Sequence, residues 1–149
     1  MDAKEFDEAG ARRRKARIIV IIGTLLVVGF LVYQFRYWPE QHLVEKFFSA
    51  LQKQDYEAAY GLYMADAAWK QHVQAHSMYP YNEFYRDWGP GGEWGLIKSY
   101  KIYAVGSPPG GGSGVVVDVI VNDRSEHAQV WVEKSDHTLS YPPCELLFR

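Results

Sequence analysis

The sequence predicts an α+β domain carried on an N-terminal transmembrane helix. Three observations lead there. An uncharged apolar run spans residues 18–35, helical spacing of apolar residues follows it, and period-two alternation takes over after residue 95. A chain of 149 residues has room for one domain and little else. The expected division is a cytoplasmic tail at 1–17, a membrane helix at 18–35, and an extracytoplasmic α+β domain at 39–149.

The apolar run is the clearest element. Ile18 to Phe35 holds no charged residue, and only Thr24 and Gln34 are notably polar. Eighteen helical residues reach about 27 Å, close to the roughly 30 Å hydrocarbon core of a bilayer. A soluble helix needs a polar face, and this run has none. A cleavable signal peptide would have a shorter apolar region ending in a small-residue cleavage site; here Val-Tyr-Gln-Phe-Arg-Tyr-Trp-Pro follows. Gly23 and Gly29 are six apart, so the Gly-x-x-x-Gly dimer spacing is absent.

Charge gives the orientation. Arg12, Arg13, Arg14, Lys15 and Arg17 immediately precede the run, whereas Arg36 and then Lys46 are the nearest cations beyond it. That asymmetry places the N-terminus in the cytoplasm. The same cations suit anionic lipid head groups. Arg36, Tyr37 and Trp38 form an interfacial anchor, and Pro39 ends or redirects the helix. Residues 1–11 are short, acidic and polar, and are expected to be flexible. After Phe35 there are ten Lys/Arg against fourteen Asp/Glu, an acidic balance that argues against nucleic acid as a partner. One cysteine, Cys144, excludes an internal disulfide.

The outer domain opens with helices. Leu43, Val44, Phe47, Phe48 and Leu51 share a helical face. Asp55 is the expected N-cap of a second helix that carries Ala58, Ala59, Leu62 and Tyr63 and extends to Trp69. A third, shorter helix is expected at Tyr81–Trp88, stopped by Gly89-Pro90-Gly91-Gly92. Strands are expected at 95–105, 115–122, 127–134 and 138–148, the last interrupted by Pro142-Pro143. Val115, Val117, Val119 and Val121 share one face of the second, with Asp118 opposite. Short turns between sequential strands require antiparallel pairing, and helices covering one sheet face give two layers.

The step Gln54-Asp55-Tyr56-Glu57-Ala58-Ala59-Tyr60 and the later Tyr81-Asn82-Glu83-Phe84-Tyr85-Arg86-Asp87-Trp88-Gly89 resemble the helical opening of nuclear-transport-factor-2-like domains. The likeness covers roughly residues 40–148. It implies a cone-shaped (cystatin-like) fold with a curved antiparallel sheet of about four strands and an open-ended cavity. Families with this fold include isomerases, dehydratases and cell-envelope scaffolds, so fold does not assign function. The layout also resembles the bitopic scaffold components of bacterial type IV secretion channels, which have longer chains. A bacterial inner membrane and a periplasmic domain are what these likenesses imply.

No strong catalytic motif is present: there is no phosphate loop, nucleophile elbow or zinc-protease helix. Tyr81, Tyr85, Asp87 and Trp88 are the best pocket candidates, an acid beside aromatic rings; the plainer reading is core packing, with Asp87 capping or pairing with Arg86. His72 and His76 lie at i, i+4 and could share a helix face, yet no third metal ligand follows. His127 and His137 read as exposed turn residues, and Asp118 as a solvent-facing residue unless its face is the concave one. His42 and Cys144 carry no evident role. The expected function is a non-enzymatic interaction or scaffold domain without a cofactor, in contact with membrane lipid and with a membrane-protein partner or a second copy. A small-molecule or lipid-binding cone and an isomerase or dehydratase are the alternatives.

Overall fold

The computed structural model describes residues 3–144 and divides the chain into two units, one ending at Tyr37 and one beginning at Trp38. The first unit is α1, Ala3–Gln34, a single helix that is long and apolar enough, by length and composition, to cross a membrane. Its large apolar side chains between Ile18 and Phe35 are each 47–69% exposed. Helix begins at Ala3, inside the segment expected to be flexible. Ala, Glu, Lys and Arg are strong helix formers, and the long apolar helix supplies the nucleus that a short peptide lacks.

At the end of this unit, Arg36 Nη1 donates to the Tyr33 carbonyl at 2.8 Å. Its guanidinium lies 3.8 Å from the centre of the Tyr33 ring and 4.5 Å from that of Tyr37. Residues 35–37 form a turn, for which Pro39 is the reason. Proline has no N–H to offer the Phe35 carbonyl four residues back, yet it is tolerated in the first turn of a new helix.

The second unit is α+β, with the helices first. Helix α2 is Trp38–Gln52, α3 is Tyr56–Tyr63, two short 3-10 turns follow at Trp69–Gln71 and Val73–His76, and α4 is Tyr81–Trp88. Strands β1 (Tyr100–Gly106), β2 (Gly114–Val121), β3 (His127–Glu133) and β4 (Leu139–Ser140) form one open antiparallel sheet in sequence order. The expected face of α2 is the buried one: Val44, Phe47, Phe48 and Leu51 are at most 1% exposed. Asp55 caps α3 as expected, accepting from Ala58 N at 3.2 Å.

Helix α3 ends at Tyr63 rather than Trp69. Ala65 turns into the left-handed region at φ 52°, Asp66 N bonds to Gly61 O at 2.9 Å, and Ala65 N bonds to Leu62 O at 3.3 Å. That pair of bonds closes a Schellman motif and stops the helix. Strand β1 starts at Tyr100, not Gly95, because the preceding residues are claimed by a side chain. Asn122 Oδ1 accepts from Lys98 N and Ser99 N, and Asn122 Nδ2 donates to Leu96 O. Asn122 and Asp123 both have positive φ, as a tight turn between antiparallel strands requires. The strand expected at 138–148 is described only as Leu139–Ser140; residues 145–149 lie outside the described residues.

The core lies between helices and sheet. Val115, Val117, Val119, Val121, Val130 and Val132 are fully buried, along with Phe47, Phe48 and Phe84. Phe47 gathers Phe48, Tyr63, Phe84 and Trp88 at ring separations of 5.1–6.1 Å. The space between helices and sheet is therefore packed with aromatic rings. Each large side chain so buried contributes about 1.5–3 kcal/mol of transfer free energy.

Candidate functional site

Burial and hydrogen bonding decide the fate of the four pocket candidates. Trp88 is a core residue, 3% exposed, while Tyr85 is exposed and meets Tyr56 edge-on at 5.2 Å. Tyr81 stacks on Trp69 at 5.0 Å. Asp87 pairs with Arg86 at 3.3 Å, as the plainer reading expects, and also accepts from the Tyr79 hydroxyl at 2.9 Å. Burial first, and the Asp87 carboxylate second, push the Tyr79 phenol upward. These residues brace α4 through ring contacts and hydrogen bonds. Spacing of an acid among aromatics selected them, and that pattern serves packing equally well.

The cavity of note lies elsewhere. A half-open cleft of about 570 Å³ runs between α2, α3 and the β3–β4 turn, with Leu43, Ala58, Gly61, Leu62, Ala65 and Ala67 giving it hydrocarbon walls. Glu57, Asp66 and His137 line it as well. Two backbone features shape it. Ala65 and His137 (φ 60°) both take left-handed conformations. Gly61 lets the segment after α3 fold close; a Cβ there would stand 3.3 Å from the Asp66 carbonyl. Sequence reading missed this cleft because its walls are small aliphatic residues from three elements, with no motif among them.

Asp66 organises the segment beside the cleft. His72 Nδ1 and His76 Nε2 both donate to its Oδ2, at 2.9 and 2.8 Å, and Ala68 N donates to Oδ1 at 3.1 Å. The His76 and His72 bonds hold the Asp66 carboxyl below the usual carboxylate value. The two histidines do not share a helical face as their spacing suggests, since a break at His72 separates two 3-10 turns. They converge on Asp66, a carboxylate that precedes them in the chain. Among the described residues, no group of three or more His, Cys, Asp or Glu is arranged to hold a metal ion. Both ring N–H groups point at one oxygen, which is a hydrogen-bonding arrangement and not a set of lone pairs aimed at a shared centre.

On the sheet face opposite the helices, Asp118 is 4% exposed, which corrects its reading as solvent-facing. His127 Nδ1 donates to Asp118 Oδ1 at 2.6 Å and Gln129 Nε2 donates to Oδ2 at 3.0 Å. His127 is part-buried rather than an exposed turn residue, and its ring meets Tyr103 at 4.9 Å. A register shift between Ile102 and Ala104 places Tyr103 at a bulge, a device that re-aims a side chain. Trp131 folds over Gly114, where a Cβ would come within 2.7 Å of the indole. These long side chains close over the middle of β2, so both of its faces are buried.

His42 stacks on Trp38 at 5.0 Å and lies 3.6 Å from Glu45. Arg12, Arg13, Arg14, Lys15 and Arg17 are all exposed on α1, Tyr37 is half-buried, Trp38 is exposed at the start of α2, and Cys144 is a free, exposed thiol. No family model, curated protein or solved structure matches the chain.

Proposed function

We propose that the protein is a single-pass, membrane-anchored interaction domain, an accessory scaffold subunit of a cell-envelope or membrane complex, with its N-terminus cytoplasmic and its α+β domain on the other side of an inner (plasma) membrane. The observation that carries the reading is α1. It presents an uncharged run of 18 residues whose large apolar side chains all stand exposed, directly after five cations in six positions. An apolar surface of that extent is not stable in water, and a continuous helix satisfies its own backbone within a bilayer. The cation asymmetry favours the stated orientation. Arg36, held against Tyr33 and Tyr37, suits the interface.

The scaffold part of the reading is supported by the outer domain's interior. Aromatic rings fill the space between helices and sheet. The two carboxylates of which an isomerase or dehydratase would draw on one or the other are both engaged, Asp87 with Arg86 and the Tyr79 hydroxyl, Asp118 with His127 and Gln129. The order of two helices, a shorter helix and a four-strand antiparallel meander supports kinship with nuclear-transport-factor-2-like domains. The test is the size of the full chain in mild detergent. A complex of fixed stoichiometry, with a membrane-protein partner or a second copy, is expected. A monomer that also leaves the membrane in an alkaline carbonate wash contradicts both parts of the reading.

A further inference from the structure

We propose that the cleft between α2, α3 and the β3–β4 turn takes a hydrocarbon chain of a membrane lipid. The inference rests on the membrane reading of α1 and adds a ligand to the outer domain. At about 570 Å³ the cleft lies within the roughly 300–1,000 Å³ range of ligand sites. Its walls are mainly aliphatic side chains and a glycine, with Glu57, Asp66 and His137 among the lining residues. The two carboxylates that line it are already engaged, Glu57 with the Lys70 ammonium and Asp66 with both His72 and His76. An entering group would find apolar surface to bury and no carboxylate in search of a partner. A peptide strand would bring backbone N–H and C=O groups that need partners; a hydrocarbon chain brings none.

Supply also favours lipid. Leu43, one wall of the cleft, is five residues into α2 from Trp38, about 7.5 Å along the helix. It follows Phe35, the last residue of the apolar run, by only eight positions in sequence, so the chain itself ties the cleft to the anchor. The centre of the domain is occupied by aromatic rings.

The test reconstitutes the full chain in vesicles of phosphatidylcholine and phosphatidylglycerol that carry a trace of phospholipid with a diazirine at the end of its acyl chain. After illumination, adducts are mapped by mass spectrometry. Two sets are expected, one on α1 and one within residues 43–67. Ala58→Trp, at an exposed cleft position, should fill the cleft and lower the second set by about tenfold while leaving the first unchanged. Ala67→Trp, also exposed, should do the same from the other wall, with retained circular dichroism showing that each variant folds. Adducts on α1 without any in 43–67 overturn the cleft inference and leave the cleft to an apolar protein segment. Adducts in 43–67 that persist in both variants overturn it equally. The absence of adducts everywhere overturns the membrane reading, and this inference with it.

Discussion

Asp118 sits 4% exposed in the middle of a valine strand, where an unbonded carboxylate would be costly. It persists because each oxygen is bonded, Oδ1 by His127 and Oδ2 by Gln129. A carboxylate only accepts, so His127 must carry its proton on Nδ1 in this pair. Asp118→Ala removes the acceptor and leaves His127 and Gln129 to find water. The expected loss is about 1.5–3 kcal/mol, as for a hydrogen bond to a charged group. It is read as a lowered midpoint in thermal melts of the full chain in detergent, with Asp118→Asn, which keeps the volume and one acceptor oxygen, losing less. Strand alternation places Asp118 opposite Val117 and Val119, and that much was legible in the sequence. Whether the opposite face is covered was not, since the cover comes from Tyr103, His127, Gln129 and Trp131 on two other strands. Asp66 was hidden for a related reason: its partners follow it by six and ten residues, across a helix end that the spacing alone does not mark.

Elements were most legible where one local signal decided them. The apolar stripe of α2 and the Asp55 cap of α3 are of this kind, as are the glycines after α4. The end of α3 was obscured because the left-handed position that usually calls for glycine is held by Ala65 (φ 52°). Ala65→Gly should therefore stabilise the domain, by about 0.5–1 kcal/mol, by relieving the left-handed alanine. A raised melting temperature would bear this out, and an unchanged or lowered one would show that the Ala65 methyl packing at the cleft outweighs the backbone gain. The start of β1 was obscured differently. Asn122 reaches across 23–26 positions of sequence to hold Leu96, Lys98 and Ser99, and no local pattern announces such a bond.

At the scale of the whole molecule, the order of elements and the antiparallel meander were legible from the switch in period. The filled aromatic centre was not, because an abundance of Trp and Tyr is compatible with an open rim or a closed core. That centre has a pH signature. Burial pushes the phenols of Tyr60, Tyr63 and Tyr79 upward, so the folded domain keeps them protonated while the unfolded chain ionises from about pH 10. The stability they contribute is complete below that value and falls as pH rises through and beyond it. Melting temperature measured across that range should drop steadily above about pH 10; a flat profile would mean that these rings are open to water.

The account stands or falls on where the outer domain lies, and Cys144 reports on it directly. It is the one cysteine of the chain and is exposed, so no residue need be introduced. Right-side-out membrane vesicles carrying the native protein are treated with a membrane-impermeant maleimide, before and after permeabilisation. The membrane-anchored reading predicts full labelling of Cys144 in sealed vesicles, with no gain when detergent is added. Labelling only after permeabilisation, or recovery of the chain away from the vesicles, would contradict it.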